Sequence, residues 1–209
     1  QLKTDRLTIR RVIEDDWRGL QHIWKDFSIS EHAQYDMPHV TADEDVRARV
    51  CKWAKYINSN EHMFFAICIG DTIIGYIAFN IREDSHEIGY CFSSDYHGKG
   101  YAKESHLALF DYLCTLGITK FTARTAINNT PSVSLLKSLG FELTGTENVS
   151  FYKDAQGNDI VFSAYIFRAV NACRIKCSRY VYGIGKAWNY RTCRSGIGKQ
   201  NRHICKKLF

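Results

Sequence analysis

Apolar and polar positions alternate over residues 6–12, with Leu7 and Ile9 on one side, which predicts a strand. Acids at Glu14, Asp15 and Asp16 then open a helix. Residues 28–42 lack a period and contain Pro38, so they predict a loop. A second helix begins near Thr41, where Asp43, Glu44 and Asp45 suit the positive end of the helix dipole, and Val46, Val50, Trp53 and Ile57 recur at three- and four-residue spacing. Three β-rich runs follow at 63–69, 73–81 and 87–92, joined by Gly70-Asp71 and by residues 82–85, which predicts an antiparallel meander.

The third run enters His97-Gly98-Lys99-Gly100-Tyr101-Ala102 and then a helix whose Ala102, Leu109, Leu113 and Leu116 share a face, ending at Gly117. Residues 120–127 alternate as another strand. Pro131 sits at a first-turn position of a short helix carrying Leu135, Leu136 and Leu139 and closed by Gly140. Strands are expected at 141–146, 149–153 and 160–167, the last two joined by a turn at 154–158. The body is therefore an α/β chain, a mixed sheet with helices on its faces.

Composition sharpens this picture in three ways. The 209 residues, 45% hydrophobic and 24% charged, suit one globular domain. Charge is unevenly placed: residues 1–167 carry 17 basic and all 22 acidic residues, net −5, whereas residues 168–209 carry 11 basic residues and no acid. An acidic body favours cationic ligands, a basic tail polyanions. No apolar run approaches the roughly 18 residues of a membrane helix and the first 25 residues are rich in acids, so a cytoplasmic location and no membrane partner are expected. Body cysteines Cys51, Cys68, Cys91 and Cys114 lie in or near apolar runs and are expected to be small hydrophobes rather than disulfides.

The glycine turn at 98–100 carries the clearest chemistry. Glycines let the main chain approach a ligand while the following helix points free N–H groups outward, a cradle suited to a pyrophosphate. A plain turn before a helix is the alternative. No Gly-Lys-Ser/Thr follows at Walker spacing, and the preceding meander disfavours a dinucleotide fold.

These residues resemble the GNAT superfamily of acyl-CoA-dependent N-acetyltransferases, in the branch of the ribosomal-protein N-acetyltransferases RimJ and RimL. The family's Gln/Arg-x-x-Gly-x-Gly/Ala is matched by residues 97–102, with His97 departing at the first position. Residues 2–7 (Leu-Lys-Thr-Asp-Arg-Leu) resemble the branch's opening strand, Glu87-Ile88-Gly89-Tyr90 its Glu-Ile-Gly-Tyr, and Gly98 to Glu104 its Gly-x-Gly-Tyr-Ala-x-Glu. Asn129-Thr130-Pro131-Ser132 and Leu139-Gly140-Phe141 resemble its Asn-x-x-Ser and Leu-Gly-Phe pair. The likeness covers about residues 2–168 and implies a GNAT-like acyltransferase domain at 1–168, with 169–209 a basic, cysteine-containing extension.

The resemblance implies that a β-bulge splays the strands at 87–92 and 120–127, and that the pantetheine arm of acetyl-CoA, the acyl donor, lies in the gap against Tyr90, Cys91 and Phe92. His97, Gly98, Lys99, Gly100, Tyr101, Ala102 and Lys103 would take the pyrophosphate, with Asn129 and Ser132 completing the cofactor site. Attack on a thioester needs an uncharged amine, hence a base, and the thiolate needs a proton. Glu87 is the base candidate, since partial burial beside Tyr90 would make it a better proton acceptor; an exposed strand carboxylate is the other reading. Leu136 occupies the position where the family often has an acidic Tyr. Ser132 is the substitute candidate acid, and a capping role for Asn129 and Ser132 stands beside it. Glu104 is expected to pack or cap. His32, Tyr35, Asp36 and His39 of the 28–42 loop are expected to border the acceptor.

The tail offers a zinc reading through Cys173, Cys177, Cys193, Cys205 and His203, whose spacings miss Cys-x2-Cys, so no metal is expected. It also offers an RNA reading through its basic residues and Tyr180, Tyr182, Trp188 and Tyr190, against a solvated extension or a segment of foreign or out-of-frame origin. The sequence thus predicts transfer of acetyl from acetyl-CoA to a primary amine in a ternary complex. The expected partner is a primary amine, a protein N-terminus or a small amine (polyamine, amino acid or aminoglycoside), with a homodimer and nucleic-acid contact through the tail left open. A non-catalytic cofactor-binding module is the alternative from another class.

Overall fold

The computed structural model describes residues 1–170. Strands β1 (Leu2–Lys3) and β2 (Thr8–Arg11) lead into α1 (Trp17–Ser28) and α2 (Asp43–Ala54). The meander β3 (His62–Ile69), β4 (Thr72–Arg82) and β5 (Ser85–Phe92) precedes α3 (Tyr101–Thr115). Then come β6 (Lys120–Ala126), α4 (Thr130–Ser138), β7 (Glu142–Lys153) and β8 (Asp159–Val170). The strands form one sheet in the order β1-β2-β3-β4-β5-β6-β8-β7. Every neighbouring pair is antiparallel except β5 with β6.

Both faces of the central strands are buried, which is why β3 is a nearly continuous apolar run. Met63, Phe65, Ile67, Ile77 and Phe79 pack with Leu109, Phe110 and Leu113 of α3, with Val133 and Leu136 of α4 and with Leu139 just past its end. Phe64, Ala66, Cys68, Tyr76 and Ala78 pack on the other face with Leu20, Ile23 and Trp24 of α1 and Val46 and Val50 of α2. Ile67 pairs with Gly75 but Cys68 with Ile73, so Ile74 is the extra residue of a bulge, and it joins the α3 side while Ile73 packs on the α1 side. Phe110 and Phe121 meet with ring centroids 4.8 Å apart; truncating such a buried ring to Ala costs about 3–5 kcal/mol.

Several elements differ from the sequence reading. Where two strands were expected at 141–146 and 149–153, residues 142–153 form the single strand β7, which absorbs the break through register shifts at Leu143/Gly145 and Val149/Tyr152. α2 ends at Ala54 and leaves Ile57 exposed, and Leu116 lies past the end of α3 and is exposed. Cys51, Cys68 and Cys91 are free thiols, whereas Cys114 is disulfide-bonded, against expectation. The readings of the tail as a zinc or RNA site fall outside the described residues.

Candidate functional site

Parallel pairing of β5 with β6 is confined to His86 with Phe121 and Glu87 with Thr122. Beyond Glu87, β5 follows β4 as far as the Gly75–Phe92 pair, while β6 follows β8 from Lys120 to Ala126. The sheet therefore parts here. The bulge expected to splay these two strands is in neither of them: β5 runs unshifted against β4 from Ser85 to Phe92 and β6 against β8 from Lys120 to Ala126, each strand staying with its other neighbour. A cavity of about 1210 Å3 fills the gap, beyond the ~300–1000 Å3 that a single small ligand occupies. Phe92 lines it, and its ring lies so close to Gly75 that a Cβ there would sit 2.3 Å away.

At one end of the cavity lies the glycine loop. Gly98 and Gly100 have φ of +71° and +81°, a conformation that side chains resist, and Gly100 is the residue from which α3 starts. The first N–H groups of α3 have no acceptor within the helix, so with Gly98, Gly100, Tyr101, Ala102 and Lys103 at the cavity wall they fit an anion. The loop is held from behind. Buried Glu104 accepts hydrogen bonds from Thr4 Oγ1 (2.5 Å), Arg6 Nε (2.7 Å) and Arg6 Nη2 (2.5 Å), and Arg6 Nη1 donates to the Lys99 carbonyl at 3.0 Å. Glu104 is thus the packing group expected of it. His97 also lines the cavity, but its Nε2 lies 2.9 Å from the Phe92 carbonyl. Lys99 does not line the cavity: its ammonium bonds the Asp95 carbonyl at 2.8 Å.

Midway along, Tyr90, Cys91, Phe92, Asn129 and Ser132 all face the gap. Alternation along β5 sends Tyr90 toward α3 and α4, where its hydroxyl lies 2.7 Å from Ser132 Oγ and its ring edge meets His106 at 4.8 Å. Burial pushes the Tyr90 hydroxyl up to about 12, partly offset by the Ser132 hydrogen bond. Asn129 caps α4 by accepting from the Ser132 N–H at 3.1 Å, which leaves the Ser132 hydroxyl for Tyr90. Leu136 is buried in the core, away from this chemistry. His106 is fully buried; desolvation lowers it to about 4, its Nδ1 bonds the Ala102 carbonyl at 2.7 Å, and its Nε2 has no partner.

Glu87 reaches the cavity from the opposite side of the sheet, so it does not lie beside Tyr90. Its carboxylate is clamped instead: Arg82 Nε donates to Oε2 at 2.9 Å and Arg124 Nη1 donates to Oε1. Arg124 in turn pairs with Glu147 on β7 at 2.6 Å. Sequence reasoning missed Arg82, Arg124 and Glu147. The only signal for them was register, since Arg124 lies two residues past the Thr122 that pairs with Glu87.

At the far end the 28–42 loop forms a wall with β7 and β8. Tyr152 Oη donates to the Ala33 carbonyl at 2.9 Å, and the Tyr35 and Phe162 rings meet at 5.6 Å. His32, Tyr35 and Asp36 line the cavity, as do Ser30, Glu147, Ser150 and Phe151. His39 does not. It stacks on Trp24 at 5.6 Å against the core, where desolvation, aided by Arg49, lowers it to about 4. Asp36 is an exposed residue, yet its carboxyl is crowded enough that desolvation raises it, against the hydrogen bond it accepts from the Met37 N–H at 2.7 Å. Asp26 links this end to the glycine loop: burial disfavours its charge, but two Ser94 hydrogen bonds, at 2.6 and 2.9 Å, prevail and lower it.

A sheet parted between two parallel strands, with a bare helix start at one end of the gap and a polar cleft at the other, is the architecture of an acyl-CoA-dependent transferase. Residues 6–142 match the acetyltransferase (GNAT) domain, and the chain belongs to the GNAT acetyltransferase family. Over 176 residues it is 29% identical to an uncharacterized N-acetyltransferase, p20, of Bacillus licheniformis, covering 79% of this chain and 93% of that one. The fold also resembles an acetyltransferase from Salmonella typhimurium that modifies the N-terminal serine of ribosomal protein L7/L12 (TM-score 0.70, 18% identity, 80% and 96% of the two chains). It similarly resembles the microcin C7 self-immunity acetyltransferase MccE, solved with acetyl-CoA and AMP (TM-score 0.67, 18% identity, 80% and 93%). Among the described residues no helix is long and apolar enough to cross a membrane, and no group of three or more His, Cys, Asp or Glu is placed to hold a metal.

Proposed function

We propose that this enzyme transfers the acetyl group of acetyl-CoA to a primary amine, a protein N-terminus, by direct attack with both substrates bound. The observation that carries this reading is the single cavity that joins the α3 start to the 28–42 loop through the parted sheet, because it lets two substrates meet at Tyr90–Phe92. Pyrophosphate binds the N–H groups of residues 101–103, with Lys103 adding charge. The pantetheine arm lies along the edge of β5 from Ile88 to Phe92, where no strand covers it, and a backbone N–H there polarises the thioester carbonyl. Ser132 hands a proton to the leaving sulfur, and Tyr90, hydrogen-bonded to it, sets its hydroxyl in place.

Support for a protein acceptor comes from the cavity volume of about 1210 Å3, more than a single small ligand occupies, and from the L7/L12 enzyme that shares the fold. Thiol release from acetyl-CoA, followed with serine-started peptides and with polyamines, amino acids and aminoglycosides, tests the reading. Turnover confined to the small amines would replace the protein acceptor. Tight acetyl-CoA binding with no thiol release from any acceptor would favour a cofactor-binding module.

A further inference from the structure

Of the carboxylates that line the cavity on the acceptor side, one differs from the rest. Glu87 has each oxygen held by a guanidinium, and Glu147 is paired with Arg124. Asp26 has both oxygens taken by Ser94. Asp36 Oδ1 accepts the N–H of Met37, and Oδ2 has no hydrogen-bond partner among the described residues. The loop that carries Asp36 is pinned across the cleft at Ala33 by Tyr152 and at Tyr35 by Phe162, which fixes the backbone next to Asp36 at the cavity wall. Asp36 lines the same cavity as Tyr90, Cys91 and Phe92, the stretch of β5 where a thioester would lie. Two further polar atoms of the same loop, Ser30 Oγ and His32 Nδ1, are buried without partners at residues that line the same cavity.

We propose that Asp36, and not Glu87, takes the proton from the acceptor ammonium, with Ser30 and His32 orienting the amine; this rests on the acetyl-transfer reading above. One N–H proton passes from R–NH3+ to Asp36 Oδ2, directly or through one water. The freed lone pair forms the N–C bond to the thioester carbonyl, and the C–S bond breaks with its electron pair moving to sulfur. The second proton shed by nitrogen ends on the thiolate through the Ser132 hydroxyl, and Asp36 returns its proton to solvent once the amide leaves. Protons and electrons balance without another reactant. Desolvation raises the Asp36 carboxyl against the hydrogen bond from the Met37 N–H, which favours a base that holds a proton more readily than an ordinary aspartate; the titratable groups on which its charge acts are Tyr76, Cys91 and Tyr152, with Arg49 acting on Tyr76 and Asp26 on Cys91.

The test compares Asp36→Asn, Glu87→Gln and His32→Asn in the full chain. Acetyl-CoA affinity measured by calorimetry should stay within about twofold in all three; absence of acetyl-CoA binding by the parent enzyme would sink the acetyl-transfer reading itself. With a hexapeptide bearing a free N-terminal serine, Asp36→Asn should lower kcat at pH 7 by ~10²-fold. That loss should shrink toward pH 9.5, where solvent deprotonates the amine. Glu87→Gln should give a smaller loss that does not vary with pH. An Asp36→Asn enzyme within threefold of the parent, or a pH-dependent loss in Glu87→Gln or His32→Asn instead, overturns the proposal. Should the hexapeptide prove no substrate, a 13C carboxyl titration of the acetyl-CoA complex decides: Asp36 titrating above ordinary aspartates supports the assignment, and an ordinary value overturns it.

Discussion

Replacing Arg6 by alanine removes three of the four hydrogen bonds described between the 2–7 segment and the glycine loop: two to Glu104 and one to the Lys99 carbonyl. Glu104 is 9% exposed at its side chain and Arg6 47%, so the pair lies between a buried and a surface salt bridge. Breaking a buried pair costs about 3–5 kcal/mol and a surface one at most about 1. With Thr4 still donating to Glu104, an intermediate loss of about 2–3 kcal/mol is expected. That corresponds to a fall in Tm of about 5–10 °C for a chain of this size. Function should suffer separately, because the Lys99 carbonyl sits between the two positive-φ glycines. Releasing it should weaken acetyl-CoA by roughly fivefold, the equivalent of about 1 kcal/mol of lost preorganisation. Arg6→Lys separates the two effects: it keeps the charge beside Glu104 but lacks the fork that reaches Glu104 and Lys99 together. It should retain most of the stability and lose the affinity. Urea unfolding and calorimetry with acetyl-CoA measure both. If Arg6→Ala costs under about 0.5 kcal/mol and leaves affinity unchanged, the clamp does not organise the loop.

Three further outcomes are expected. Gly100→Val forces a β-branched residue to φ near +81° at the α3 start, so acetyl-CoA affinity should fall at least tenfold, and calorimetry showing parent affinity would remove the loop from the site. Tyr90→Phe deletes the hydroxyl that holds Ser132 and should lower kcat about tenfold with acetyl-CoA affinity unchanged; an unaltered kcat would separate Tyr90 from proton return. His39 and His106 are lowered to about 4 when folded, against an ordinary 6.5, so the unfolded chain binds their protons first and stability should fall as pH drops from about 6.5 to 4, with no further loss from them below that. Fully buried His106 accounts for roughly 2–3 kcal/mol of this, and a His106→Leu enzyme with an equally steep decline between pH 7 and 4.5 would refute the assignment.

Local pattern carried much of the fold. The meander and α1 to α4 were legible because their apolar spacing matches the face each buries and because acids, Pro131 and glycines punctuate their ends. What escaped was non-local. β1 is two residues long and exists only because Leu2 and Lys3 pair with Ile9 and Thr8. β7 is continuous because β8 templates it through two register shifts, which alternation at 141–153 does not encode. The glycine loop was visible as a motif, yet the Arg6–Glu104 contact that supports it spans 98 positions. In the 28–42 loop four residues looked alike in sequence, and only packing sorted them: His39 against Trp24, the other three to the cavity.

Glu87 shows how position in the fold bears on what residue type leaves open. It is the last residue of β5 to pair with β6, at the vertex from which the two strands diverge. Its partners come from both sides of that vertex, Arg82 at the end of β4 and Arg124 on β6, and Arg124 carries the link on to Glu147 of β7. An ion-pair row at this point ties the halves of the sheet together where the backbone ladder stops doing so. Glu87 has both oxygens held by guanidiniums in that tie, whereas the Asp36 carboxylate is reached by one backbone N–H. The two roles a transferase of this shape needs from carboxylates, fixing the gap and relieving the amine of its proton, therefore fall on different walls of the cavity. The pH profiles of Glu87→Gln and Asp36→Asn tell them apart: a structural tie lowers the rate evenly, and a base lowers it most where the amine is protonated.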